Sequence, residues 1–239
     1  MNTKELSQSL LAWYDVHGRA LPWRHKGGAH PSPYAVLVSE IMLQQTTVKT
    51  VMPYFERFMR RFPTVYDLAA ATQEEVYQYW QGLGYYSRAR SLHAAAQTIV
   101  NDFGGCFPNT RTDVLKLKGV GAYTASSFLA LAFNRPETVV DGNVMRIICR
   151  MFRLTAPLSE IKNEIAARAA ALTSADRPAD YASAIMDLGA VVCTPRKPHC
   201  DVCPWRHGCL SAGCKDVESI PNRIKTAKKK INGYLYLIK

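Results

Sequence analysis

Apolar residues recur along most of this chain at intervals of three and four, the spacing that lines up one face of an α-helix. Leu6, Leu10, Leu11 and Tyr14 share such a face near the start, and Val51, Tyr54, Phe55 and Phe58 share another within VKTVMPYFERFMRRF. Thr72 and Glu75 have capping-box spacing ahead of the run at 76–80. A long amphipathic helix is predicted over 87–103, stopped by Gly104 and Gly105. Further helices are predicted at 144–152, 159–172 and 179–192. The one alternating stretch is INGYLYLIK at 231–239, reached through a polar, basic, proline-containing linker that starts near Ser219. A single strand cannot fold alone, so it reads as the start of a curtailed further domain. The fold class is all-α.

Composition narrows this picture. With 239 residues, 48% of them hydrophobic, the chain can bury a core as one large domain or two small ones and is not a disordered segment. No apolar run is long enough to span a bilayer, and the N-terminus lacks a basic region followed by an unbroken apolar stretch. A cytoplasmic protein with no membrane partner is expected. The formal net charge of +11 suits a polyanionic partner such as nucleic acid, although solvated surface charge gives the same sum. From Thr194 onward there are ten Lys or Arg against three acids. The seven cysteines are odd in number, and four fall between Cys193 and Cys209, which argues against a secreted disulfide scaffold.

Those four, Cys193, Cys200, Cys203 and Cys209, are spaced C-x6-C-x2-C-x5-C among prolines that stiffen the turns. Four thiolates in so short a loop make a metal site. Structural zinc is the commoner outcome, yet zinc sites usually pair two C-x2-C knuckles, and only one is present. The uneven spacing favours a [4Fe–4S] cluster over zinc. Cys106, Cys149 and Cys214 stand outside the pattern.

Two carboxylates are placed unusually. Glu40 is the only formally charged residue between Lys26 and Lys49, with Val38, Ile41, Met42 and Leu43 around it. It either points to water from a helix face or faces a cleft, where desolvation raises its pKa and keeps a proton available. Asp141, in TVVDGNVMRIICR, is either a plain N-cap or the ionised partner of such an acid. One protonated and one ionised carboxyl is the pair that glycosidic cleavage uses. Between them, KLKGVGAYTASS breaks at Gly119-Val120-Gly121 before a helical run resumes. That is either an ordinary glycine-rich turn or an anion-binding loop that aims amides at a phosphate.

Taken together, LPWR at 21–24, SEIMLQQT at 39–46, GLGYYSRAR at 82–90, GVGAYTA at 119–125, VDGNVMR at 140–146 and MDLGAVVCTPRKPHC at 186–200 resemble the helix–hairpin–helix DNA glycosylases that carry an iron–sulfur cluster. Within that superfamily the chain is similar to the MutY-type adenine DNA glycosylases. The resemblance implies two helical lobes with the active cleft between them. One is a six-helix barrel of residues 28–135 holding the hairpin; the other is a cluster domain of 1–27 with 136–214. Residues 215–239 are then a linker and the beginning of a C-terminal domain that reads the oxidised guanine, so weaker discrimination of 8-oxoguanine from guanine than a complete enzyme shows is expected, with base excision surviving. The implied substrate is double-stranded DNA with adenine mispaired with 8-oxoguanine or guanine, bound by a monomer in base excision repair, nucleoid-associated if bacterial.

By the same resemblance Glu40 protonates adenine N7 and later activates water, Asp141 stabilises the cation developing at C1′, and Asn143 orients the pair. Gly119, Val120 and Gly121 clamp a phosphate. Tyr123 stands where relatives resembling endonuclease III carry the lysine that attacks C1′, which makes this chain monofunctional. Gln45, Thr46, Leu83 and Tyr85 are the duplex wedge that fills the gap left by a flipped base, while Arg88 and Arg90 contact phosphate or solvent. Three departures are notable. Lys118 replaces a proline, Met145 stands where some relatives have a lysine that traps product, and the loop at 25–32 is longer. The rival readings are a bifunctional lyase acting on oxidised pyrimidines, disfavoured by Tyr123, and a non-catalytic cluster-bearing DNA-binding module, disfavoured by the carboxylate pair.

Overall fold

The computed structural model describes residues 2–24 and 31–223, and every regular element among them is helical. The first part of the chain forms α1 (Thr3–His17), α2 (Pro33–Leu43), α3 (Val48–Arg61), α4 (Val65–Ala70), α5 (Gln73–Trp80) and α6 (Tyr86–Phe103). It continues with α7 (Arg111–Val114), α8 (Ala122–Phe133), α9 (Gly142–Met151), α10 (Leu158–Leu172) and α11 (Pro178–Asp187). A π-helical turn, Leu188–Val192, carries α11 on to Cys193. The expected strand at 231–239 and residues 25–30 of the long loop lie outside the described residues. No helix among the described residues is long and apolar enough to cross a membrane.

Local sequence explains the boundaries. Asn2 and Glu5 exchange side-chain and backbone bonds in a full capping box that starts α1. At α5 only half the expected box forms. Thr72 accepts from the Glu75 N–H at 3.2 Å, but the Glu75 carboxylate turns to Arg61 instead of back to the cap. Gly104 ends α6 in the left-handed conformation, as its position predicts.

Helices α2 and α8 are buried along almost their whole lengths, the state of a helix that is apolar all round. They pack on each other, α2 also on α3 and α6, and α8 also on α11. Glu40 and Tyr123 are therefore carried by two largely buried helices that pack on each other. Aromatic packing fixes their surroundings. Phe58 lies 4.8 Å from Phe62 and 6.1 Å from Trp80, and Trp23 meets Phe55 edge-on at 5.0 Å. At the N-terminus α1 packs on α10 and α11, and the buried Trp205 donates from Nε1 to Leu6 O at 2.8 Å.

Candidate active site and cysteine loop

Glu40 lies near the end of α2 and is 7% exposed. Burial pushes its carboxyl up to about 7; Ser127 and Arg24 pull the other way, and the charge of Asp141 adds to the rise. Of the two placements the sequence left open, Glu40 takes the cleft rather than solvent. Ser127 sits on α8 four residues after Tyr123, hence on the same face. It is fully buried, and its hydroxyl has no partner at hydrogen-bond distance. It nevertheless acts on the titration of both Glu40 and Tyr123. The Tyr123 hydroxyl points at Met186 Sδ, 3.9 Å away. Tyr123 keeps 39% of its surface exposed, but its hydroxyl end is enclosed in the cleft; that desolvation, then the charges of Glu40 and Asp141, pushes the phenol above its ordinary range, so it stays a neutral donor.

Asp141 takes the capping position that its sequence offers, and its side chain also lines the cleft that holds Glu40. It caps α9, with Oδ1 accepting from the N–H groups of Asn143 (2.8 Å) and Val144 (2.7 Å). Its Oδ2 accepts from Asn143 Nδ2 at 2.8 Å. Asn143 is fixed in turn, because its Oδ1 accepts from Arg146 Nη2 at 2.9 Å. Arg146 also donates to Gly189 O (2.6 Å) and Cys193 O (2.8 Å).

These side chains line one cleft of about 540 Å³, with Arg24, Glu40, Tyr123, Asp141 and Asn143 among its polar groups and Leu21, Trp23 and Met186 among its apolar ones. A cavity of that size suits a small organic group such as a nucleobase. Arg24 is held against the wall by Asp187, which is wholly buried and accepts from Arg24 Nη1 at 2.8 Å and from Arg19 Nε at 2.7 Å. Burial alone would raise the Asp187 pKa; Arg24 and Arg19 together outweigh it and hold the carboxyl below its ordinary range. Lys49, exposed in the first turn of α3, supplies the lysine on the cleft lining.

The hairpin leads directly into α8. Gly119 has φ +79°, and a Cβ there would lie 2.5 Å from Ser91 Cβ, so only glycine fits. Val120 is buried and anchors the turn. Gly121 caps α8, and a Cβ on it would meet nothing within 4 Å, so the helix N-terminus faces open space.

The expected wedge residues separate. Tyr85 is 61% exposed and Gln45 is exposed, each in the left-handed region (φ +49° and +58°), while Thr46 is half-buried. Leu83 corrects expectation: it is 6% exposed, because the turn through Gly82 and Gly84 tucks it into the core and sends Tyr85 outward. Arg88 is a second correction. It does not face phosphate or solvent but is buried beneath both loops, donating to backbone carbonyls.

All four pattern cysteines line a single small cavity beside Arg150 and Val192. Burial pushes the Cys203 thiol up to about 12, with the other three cysteines adding to the effect, so this group becomes a thiolate only against a compensating metal charge. Among the described residues no three His, Cys, Asp or Glu side chains are grouped closely enough to hold one ion. A cavity lined by four thiols offers the donor set that a thiolate-held cluster or a four-thiolate zinc requires. Arg150, 2% exposed, clasps this loop by donating to Thr194 O (2.6 Å), Pro195 O (2.9 Å) and Cys193 Sγ (3.5 Å).

The chain belongs to the HhH-GPD superfamily of base excision DNA repair proteins, whose model matches residues 38–170. Residues 193–209 match the iron–sulfur binding domain of endonuclease III, so the four cysteines hold a [4Fe–4S] cluster rather than zinc. Adenine DNA glycosylases of Rattus norvegicus and Homo sapiens are each 44% identical over 84% of this chain, and that of Buchnera aphidicola subsp. Baizongia pistaciae is 35% identical over 88%. The chain spans 40%, 38% and 59% of those relatives' lengths respectively. Among solved structures, a thermostable thymine-DNA glycosylase aligns with a TM-score of 0.76 at 29% identity, covering 88% of this chain and 96% of its own. A non-covalent endonuclease III–DNA complex aligns at 0.67 with 22% identity, covering 89% and 97%, and shares the fold.

Proposed function

We propose that this chain is a monofunctional adenine DNA glycosylase that removes adenine mispaired with 8-oxoguanine or guanine from double-stranded DNA, acting as a monomer in base excision repair. The observation that carries the proposal is the juxtaposition in one cleft of a buried acid that keeps its proton to about pH 7 and an aspartate whose oxygens accept three N–H groups. A flipped adenine enters the cleft, and Glu40 donates to its N7, turning a poor anionic leaving group into a neutral one. The C1′–N9 bond breaks, and Asp141 stabilises the positive charge left on the sugar. Glu40, now a carboxylate, takes a proton from the water that adds to C1′. Asn143 fixes the direction in which Asp141 acts, and the neutral Tyr123 hydroxyl positions the sugar without forming a bond to it.

Gly119, Val120 and Gly121 hold a phosphate by backbone amides at the start of α8, while Gln45, Thr46 and Tyr85 fill the duplex from the other side. Cys193, Cys200, Cys203 and Cys209 hold the cluster, which supplies structural support to the loop rather than a step of the reaction. The division into a barrel of residues 28–135 and a cluster lobe of 1–27 with 136–214 is supported by α1 packing on α10 and α11.

The test is a labelled duplex with adenine opposite 8-oxoguanine, incubated with the protein and then analysed with and without alkali. Strand cleavage only after alkali is expected. Cleavage without alkali supports a lyase, with Lys49 the amine to examine, and binding with no cleavage under either condition supports a non-catalytic module.

A further inference from the structure

Arg88 is a buried cation that the mechanism leaves unused. It lies in the first turn of α6 with 7% of its surface exposed, and its acceptors are carbonyl and hydroxyl oxygens rather than a carboxylate. Nη1 donates to Met42 O at 2.7 Å, to Thr46 Oγ1 at 3.0 Å and to Gln44 O. Nη2 donates to Leu83 O and Gly84 O, each at 3.2 Å. The guanidinium also lies over the rings of Trp80 (5.6 Å) and Tyr85 (5.2 Å).

Two features make this arrangement more than core packing. The carbonyls of Met42 and Gln44 belong to the C-terminal end of α2, where acceptors lack helical partners and the helix dipole favours a cation. The other two carbonyls belong to the loop that presents Tyr85. One planar fork therefore spans two loops that are remote in sequence, and each loop sends out a non-glycine residue in the left-handed conformation, Gln45 and Tyr85. Such backbone persists only where its surroundings fix it.

We infer that Arg88 is a positioning residue that braces the 44–46 and 83–85 loops into one rigid two-pronged wedge, which is required to extrude the adenine and keep the duplex filled behind it. This rests on the reading of those loops as the duplex wedge. Lysine cannot replace the fork, since a single ammonium has no planar pair of donor edges to span both loops.

The experiment compares single-turnover adenine release from a duplex with adenine opposite guanine and from the same duplex with that adenine bulged and unpaired. Binding and the fluorescence of a neighbouring 2-aminopurine are followed alongside. Arg88→Lys is expected to slow release from the paired adenine by about 10- to 100-fold, to lose the fluorescence rise, and to release the bulged adenine nearly as fast as the parent. Equal losses on both substrates, or none on either, overturn the brace. Should Arg88→Lys fold poorly, Thr46→Val removes one acceptor of the fork and is expected to give the same pattern with a smaller loss; equal treatment of both substrates again overturns it. Tyr85→Ala tests the loops themselves. If it releases both adenines at the parent's rates, the wedge reading falls and the brace with it; if it fails on the paired adenine while Arg88→Lys does not, the brace alone is overturned.

Discussion

Replacing Glu40 by Gln separates the catalytic use of this carboxyl from the stability it sacrifices. Folding holds it at about 7 against an ordinary 4.5. In the unfolded chain it ionises near the lower value, so between the two the folded state retains a proton that the unfolded state has released. The unfolding free energy therefore falls by about 1.4 kcal/mol per pH unit across that window. The stability fully present below pH 4.5 and lost by the time pH passes about 7 amounts to about 3 kcal/mol. Glutamine does not titrate, and the other ionisable groups are common to both proteins and cancel in the comparison. Any fixed cost of burying the amide shifts the difference without changing its slope. Urea unfolding of the cluster-loaded proteins at a series of pH values is the assay. The Glu40→Gln protein should gain on its parent steadily from about pH 4.5 to about pH 7, by up to about 3 kcal/mol, with the gap level above that, while adenine release is lost. A gap that stays constant across that range would falsify the buried-acid assignment, whatever the activity shows.

Three further outcomes follow from the same cleft and loop. Ser127→Ala removes a hydroxyl whose nearby dipole lowers the Glu40 pKa, so the alkaline limit of adenine release should move to higher pH in a rate profile; an unmoved or lowered limit counts against that influence. Asp141→Asn keeps an N-cap of nearly equal strength, so its melting temperature should stay close to the parent's while single-turnover release falls by about a hundredfold or more; a matching loss of stability would point to capping alone. Metal analysis of the parent should find iron rather than zinc, and Cys203→Ser should lose iron and speed hydrogen exchange across 193–209; retention of both would remove Cys203 from the cluster's ligands.

Much of the fold was legible because the apolar spacing is so regular. Leu6, Leu10, Leu11 and Tyr14 lie buried on α1, and Val51, Phe55 and Phe58 on α3, as their intervals require. The surprises are polar. Arginine in GLGYYSRAR reads as a phosphate contact, since sequence shows its charge but not the four carbonyls converging on it. Asp187 passes unnoticed in an apolar run because its partners, Arg19 and Arg24, are more than 160 residues away. Ser127 gives no sign at all: a serine in a helix made of small residues reads as filler until its neighbours are known. Leu83 fails for the opposite reason, because a glycine on either side permits both an inward and an outward turn. Arg146 left a fainter trace, three residues past Asn143 on one helical face.

The pairing of Asp187 with Arg19 and Arg24 also fixes when the cleft can exist. Both arginines leave the ribosome among the first residues made, and their counter-ion follows only after most of the chain has been translated. Glu40, Tyr123 and Asp141 are all synthesised before it, so a nascent chain carries these three cleft residues before the counter-ion of Arg24 exists. A polypeptide released before Asp187 is made lacks the carboxylate that holds Arg24 against the cleft wall, so the last turn of α11 is what completes that wall.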